Sequence, residues 1–200
     1  MRVSVVTVGI NQWKEFTSPL IKSIERYQSD VDVVLVDNGS KEPYPSIAPY
    51  TLVRSDAVLS YAQAINLGLE ETDVFDWVII INNDVLCISP FRKKLEELDP
   101  NILYGNQLNH ASKFGHYVEG WLFAIPFNVM SKVGLFDEKF QYAAFEDVDY
   151  SFRAKQAGLK VVKTELPFKH LKAATRFTRP EYREVYLENR RYLHKKHGFR

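Results

Sequence analysis

Glu146, Asp147 and Asp149 place three carboxylates within four positions, and Arg153 follows Asp149 by one helical turn. A cluster of this kind can supply a general base, which takes a proton from a reacting hydroxyl. It can equally be a structural helix start, because acids there interact favourably with the helix dipole and Asp149 with Arg153 has i,i+4 ion-pair spacing. Asn82, Asn83 and Asp84 end the most hydrophobic run in the chain. A strand-end carboxylate there is either a cap or an oxygen ligand for Mg²⁺ or Mn²⁺ shared with a diphosphate. Asp37, Asn38, Gly39 and Ser40 offer a carboxylate, an amide, a turn glycine and a hydroxyl. Taken alone, that group reads as well as a plain turn with an Asx hydrogen bond.

These groups need elements to position them. Val3, Val5, Val6 and Val8 form a β-branched run ending in Gly9, and a second run from Val31 to Val36 ends in the Asp37 group. Both read as buried parallel strands. Between them Leu20, Ile21, Ile24 and Tyr27 recur at helical spacing, which makes a βαβ unit. The pattern repeats with a short strand near Leu52 and Val53, a helix containing Ala62, Ala64, Ile65 and Leu69, and a strand from Trp77 to Ile81. This alternation predicts an α/β fold, a Rossmann-like and mostly parallel sheet flanked by helices, with ligands beyond the carboxyl ends of the strands. From Leu103 onward the expected elements are shorter: a strand from Tyr117 to Ile125, a helix over Asn128 to Val133, a helix from Glu146 to Ala157 stopped by Gly158, a strand through Lys160 to Val162, and a charged helix from about Pro180.

At 200 residues the chain suits a single domain. The expected division is a first half over about 1–100, a second half over about 101–180, and a basic closing helix over about 181–200. A net charge of +1 argues against bulk attraction to nucleic acid. Cys87 is the one cysteine, so no intramolecular disulfide and no cysteine-rich zinc cage can be drawn. With no signal-peptide pattern and no apolar run near the ~20 residues that span a bilayer, the expectation is a soluble cytoplasmic protein, or one of the host cytoplasm if the genome is viral.

In this order the motifs resemble the family 2 glycosyltransferases with the GT-A fold, especially the rhamnosyltransferase-like branch. Val36 to Ser40 match the V-D-[DN]-G-S turn, and Tyr61, Ala62, Ala64, Asn66 and Gly68 match the helix that follows it. Asn82 to Val85 match the N-N-D-V form of the D-x-D motif, while Gly134 to Glu138 and Glu146 to Arg153 match G-x-F-D-E and E-D-x-D-[YFL]-x-x-R. The resemblance covers about Val3 to His170. It implies an inverting, hexosyltransferase-like enzyme that uses Mn²⁺ or Mg²⁺ and a UDP-, GDP- or dTDP-sugar, with a glycan, a lipid-linked molecule or a protein as acceptor.

The same resemblance assigns roles by position. Thr7, Val8 and Gly9 would line the nucleoside pocket, Asp37 would accept a hydrogen bond from the base, and Asn38, Asn66 and Asn83 would lie on the nucleotide side. Asp84 and His170 would hold the metal. Asp147 would be the catalytic base, with Glu146, Asp149 and Trp121 binding acceptor or donor hydroxyls. Read without the resemblance, His170 is a surface or satisfied core histidine and Trp121 a packing residue. Val58 and Ser60 stand where the family usually has Asn and Gly, and Asn82 replaces the first acid of D-x-D.

Two other functions compete with glycosyl transfer. A sugar-phosphate nucleotidyltransferase would need a Gly-rich loop bearing Arg and Lys after the first strand, where Gly9 leads instead to Ile10, Asn11, Gln12 and Trp13. A non-catalytic nucleotide-sugar or glycan-binding module would not need both Asp84 and the Glu146–Asp147 pair. The basic C-terminal segment reads as a packed helix with a solvated end, or as a weak contact with anionic lipid.

Overall fold

The computed structural model describes residues 1–47, 49–172 and 182–199. The chain runs β1 (Val3–Gly9), a π-helical turn (Trp13–Thr17), α1 (Ser18–Tyr27), β2 (Asp32–Asn38), β3 (Thr51–Ser55), α2 (Tyr61–Glu70), β4 (Trp77–Asn82), β5 (Val85–Cys87) and α3 (Arg92–Glu96). It continues with β6 (Ile102–Gly105), β7 (Leu108–Ala111), β8 (Gly115–Val118), β9 (Leu122–Pro126), α4 (Phe127–Val133), α5 (Glu146–Gln156), β10 (Lys160–Lys163), β11 (Phe168–His170) and α6 (Tyr182–Lys196).

Seven strands form the central sheet in the order β10-β6-β9-β4-β1-β2-β3. β3, β2, β1 and β4 are mutually parallel, and β9 runs antiparallel to β4 and β6. Val5 and Val6 alternate between two faces, and a β-strand with both faces covered needs apolar residues at every position. Val5 belongs to one hydrophobic cluster with Leu20, Ile24 and Ile79, while Val6 belongs to a second with Ile65, Ile80 and Tyr150. α1 therefore covers one side, and α2 with α5 covers the opposite side. This is the mostly parallel α/β sheet that the sequence predicts.

α2 comes unusually close to the sheet. A Cβ on Gly68 would fall 2.6 Å from Val6 Cγ1 and 2.9 Å from Val36 Cγ2. Ser60, which departs from the family pattern, has a local role: its side chain accepts from Gln63 N while the Gln63 side chain accepts from Ser60 N, closing a capping box at the start of α2.

The expected strand from Tyr117 to Ile125 is two strands. β8 pairs with β7 in a separate hairpin and β9 joins the main sheet, with Glu119, Gly120 and Trp121 turning between them. The C-terminal helix is described over Tyr182–Lys196, and Pro180 lies outside the described residues. Among the described residues no helix is long and apolar enough to cross a membrane.

Candidate functional site

Parallel register sets Gly9 beside Asp37 and Val8 beside Asn82, so β1, β2 and β4 end at one edge of the sheet. An open cleft of about 1700 Å³ lies there, lined among others by Gly9, Asn83, Asp84, Trp121, Asp147 and His170. Val8, Asn38 and Glu146 also line it.

Asp84 and His170 are brought together by a short strand pair. β5 begins one residue after Asp84, and β11 runs antiparallel to it with His170 opposite Val85. Leu171 N donates to the Asp84 carbonyl at 2.8 Å, and His170 Nε2 stands 3.2 Å from Asp84 Oδ1. The Trp121 ring stacks on the His170 ring with centroids 4.9 Å apart and planes 12° apart. Trp121 is buried, and among the described residues its indole N–H has no hydrogen-bond partner. Asn83 Nδ2 donates to Thr17 Oγ1 at 3.0 Å, which fixes the turn before Asp84.

No group of three or more His, Cys, Asp or Glu side chains among the described residues is placed to hold a metal ion. At the end of β4 the cleft offers one carboxylate and one imidazole side by side, Asp84 and His170. That donor set suits a hard or borderline divalent cation whose other ligands are water and ligand oxygens.

The acid motif enters the same cleft from α5. The preceding loop is bent into it by two non-glycine residues with left-handed backbone, Tyr142 (φ 53°) and Phe145 (φ 73°), a conformation costing on the order of 1–3 kcal/mol at each residue. Glu146 Oε2 accepts from Ala144 N at 2.7 Å. Asp147 is half-buried; Oδ2 accepts from Gly120 N at 3.1 Å and Oδ1 from Val148 N at 2.8 Å. Burial pushes the Asp147 carboxyl up to about 6, with help from the nearby Glu119 charge and against the pull of those two amides. A carboxyl at this value exchanges a proton readily near neutral pH.

Tyr61 ties the two parts of the cleft together. Its hydroxyl donates toward Asn82 Oδ1 at 3.1 Å and Gly120 O at 3.3 Å, linking the end of β4 to the turn that holds Asp147. Burial, and then the charges of Glu146, Asp147 and Asp84, drive its phenol far above its ordinary value. All three carboxylates thus act on one hydroxyl at the centre of the site.

Four residues expected at the ligand do not line the cleft. Thr7 is fully buried in the sheet. Asp37 is also fully buried; its oxygens accept from Ser40 N at 3.1 Å, Tyr44 N at 3.0 Å and the Arg54 guanidinium. Burial raises the Asp37 carboxyl, but these bonds outweigh it and hold it below the usual carboxylate range. Asn66 is spent on the loop after α4, donating to Phe136 O and Glu138 Oε1 at 2.9 Å and accepting from Phe136 N at 3.0 Å. Asp149, fully buried, meets Arg153 at 2.8 Å, Lys196 at 2.6 Å and His197 at 2.8 Å. The side chains of Asp37, Asn66 and Asp149 are thus satisfied by the protein interior, as buried polar groups must be, whereas the buried Thr7 hydroxyl has no hydrogen-bond partner among the described residues. Asn38 does line the cleft, but its amide is engaged with the Leu59 backbone at 2.8 and 3.1 Å.

Tyr61 and Glu119 were missed as site residues. Tyr61 sits inside a recognised motif at a helix start, a signal that was available. Glu119 carries none, because only the break between β8 and β9 turns it toward Asp147.

No protein-family model and no curated protein sequence matches the chain. Solved structures do match its fold. The structure of GalNAc-T7 with UDP, GalNAc and Mn²⁺ superposes with a TM-score of 0.78 at 14% identity, covering 98% of this chain and 48% of that one. The mannosyltransferase PcManGT from Pyrobaculum calidifontis, in complex with GDP-Man and Mn²⁺, matches with a TM-score of 0.66 at 16% identity over 96% of this chain and 70% of that one. S. aureus TarS matches with a TM-score of 0.68 at 13% identity, covering 98% of this chain and 39% of its own. The chain thus spans about half the length of GalNAc-T7 and less of TarS, and its fold is that of the GT-A glycosyltransferases.

Proposed function

We propose that the chain is an inverting glycosyltransferase, which moves a sugar from a nucleoside-diphosphate sugar to an acceptor hydroxyl with Mn²⁺ or Mg²⁺. The observation that carries this reading is the meeting, in one cleft at the carboxyl edge of a GT-A sheet, of the Asp84–His170 pair and the half-buried Asp147. Its support from outside the chain is that two of the structural neighbours, GalNAc-T7 and PcManGT, hold UDP or GDP-Man together with Mn²⁺.

Asp84 and His170 would hold the cation, and the stacked Trp121 ring keeps the imidazole turned toward Asp84. When bound, such a cation stabilises charge on a leaving diphosphate. Asp147 takes the acceptor hydroxyl proton on a carboxylate oxygen, the freed electron pair forms the bond to the anomeric carbon, and the diphosphate oxygen departs with the pair from the broken glycosidic bond. Attack opposite the leaving group inverts the anomeric centre. Gly120 N and Val148 N fix the Asp147 carboxylate for this step, and Tyr61 fixes the Gly120 turn. Glu146 and Trp121, on the same cleft, are placed to meet hydroxyls of acceptor or donor.

The donor half over about 1–100, the acceptor half over about 101–180, the rhamnosyltransferase-like character, a dTDP-sugar as a third donor class and a cytoplasmic location with weak peripheral membrane contact belong to the same proposal. Release of nucleoside diphosphate from UDP-, GDP- and dTDP-sugars with Mn²⁺ tests it. Slow release by the wild type from at least one donor, lost in Asp147→Asn, is the expected result. Binding of a nucleotide-sugar without any release or transfer would instead make the chain a binding module.

A further inference from the structure

The C-terminal helix is divided by chemistry into two faces. Val185, Asn189, Leu193 and Lys196 recur at helical spacing and point inward, where Lys196 reaches Asp137 at 2.7 Å and Asp149 at 2.6 Å, while Asn189 holds Gln141 and Ala144. At about 100° per residue, Arg190, Arg191, His194 and Lys195 lie on a different face, and all four line the cleft. The acids of the helix, Glu184 and Glu188, do not line it. Among the described residues the ion pairs of α6 and its end are made by Lys196 and His197.

The β7–β8 hairpin extends this cationic face. Phe114 at its tip packs edge-on against His194 at 5.4 Å and Phe199 at 4.9 Å, and Lys113 Nζ stands 5.9 Å above the Phe199 ring. Burial first, then the charges of Lys113 and Arg190, pull the His194 imidazole below its ordinary value, so the three basic groups share one neighbourhood. The hairpin is in turn fixed to α5, with Val118 N donating to Ser151 Oγ at 3.0 Å. The cationic wall therefore rises on the α5 side of the cleft, which also supplies Asp147. The nucleotide side, at the ends of β1 and β4, is lined by Gly9, Asn82 and Asn83.

We propose that this wall, formed by the cations Lys113, Arg190 and Arg191 with the His194 imidazole beside them, recognises an acceptor that carries a phosphate or phosphodiester group. The proposal rests on the cleft being a glycosyltransferase site. Cationic side chains on one wall attract a ligand of opposite charge, and Arg guanidinium groups match phosphate oxygens bidentately. The acidic groups of the cleft, Asp84, Glu119, Glu146 and Asp147, lie outside the wall.

The test uses the full chain, with sn-glycerol 1-phosphate as probe, saturating UDP present and EDTA excluding the metal, followed by calorimetry in wild type and in R190Q/R191Q. The expected result is binding of the probe, weakened about tenfold or more in the variant, with UDP affinity in Mn²⁺ unchanged. Glycerol in place of the phosphate should not bind. Sedimentation with phosphatidylcholine vesicles, with and without phosphatidylglycerol, separates the two sources of the group: co-sedimentation only with the anionic vesicles, lost in R190Q/R191Q, assigns it to a lipid headgroup. Probe binding without co-sedimentation assigns it to a soluble phosphate. Absence of binding in both arms, or binding that survives R190Q/R191Q, overturns the proposal. A parallel loss of UDP affinity in the variant also overturns it, because the wall would then serve the donor. If UDP fails to bind even with Mn²⁺, the glycosyltransferase reading fails, whereas phosphate binding by the wall is read independently.

Discussion

Asp147→Asn should make the protein more stable and nearly inactive, and both effects follow from one carboxyl. Its folded value of about 6, against the ordinary 3.8, means that folding disfavours the ionised form. At 1.36 kcal/mol per tenfold change in proton affinity, the cost is roughly 3 kcal/mol when the carboxyl is fully ionised. Partial exposure screens that cost, and Asn can satisfy only one of the two amides with its single oxygen, leaving about 1–2 kcal/mol. The sign is fixed by the raised value: below about pH 4 the carboxyl is protonated in both states and costs nothing. The cost grows between about pH 4 and 6 and is complete above. Asp147→Asn should therefore raise Tm by roughly 2–8 °C at pH 8 and leave it unchanged at pH 3.5. Transfer should fall about 10²- to 10⁴-fold with little change in donor affinity. In the wild type, kcat/KM should rise with pH to a plateau above about 6, and the variant should lack that limb. A variant that is less stable at pH 8, or that transfers at near-normal rate, would refute the assignment of Asp147 as a desolvated base.

Lys196→Met removes the cation shared by Asp137 and the fully buried Asp149; breaking such a pair should cost about 3 kcal/mol in urea unfolding, and a loss under 1 kcal/mol would show that Arg153 and His197 suffice. Asp137 is itself desolvated, but bonds from Lys196, Lys139 N and Tyr192 outweigh this and hold it at about 2. Its contribution should be present above about pH 4 and lost as pH falls toward 2, a limb that Lys196→Met should flatten. Gly68→Ala drives a methyl into Val6 and Val36 and should destabilise by about 1–2 kcal/mol despite the better helix propensity, which an unchanged Tm would contradict.

The buried parallel core was legible because β1, β2 and β4 are β-branched on both faces, a pattern that only covered strands require. The break at Glu119 to Trp121 was not, because nothing in that apolar stretch announces that Gly120 must approach Asp147 so closely that a Cβ would lie 3.3 Å from its carboxylate. β5 and β11 have three residues each and pair over a long sequence separation, so the meeting of Asp84 and His170 came from motif order rather than from local pattern. Motif order does not say which way a side chain points. Asp37, Asn66 and Asp149 stand among residues that face the cleft, yet their side chains are turned inward and satisfied there. A polar residue type does not say whether its partner is protein or ligand. The i,i+4 pair of Asp149 with Arg153 could be read from spacing, but Lys196 and His197 could not, since α6 reaches Asp149 only through tertiary structure.

Whether the cleft binds a nucleoside diphosphate through a cation at Asp84 and His170 is most directly tested by calorimetric titration of UDP and GDP, with Mn²⁺ and with EDTA, in wild type, Asp84→Asn and His170→Ala. The expected result is that at least one nucleotide binds the wild type more tightly by tenfold or more with Mn²⁺, and that both variants retain the fold and lose that gain. Equal affinity in Mn²⁺ and EDTA, or a metal-dependent gain that persists in both variants, would contradict it.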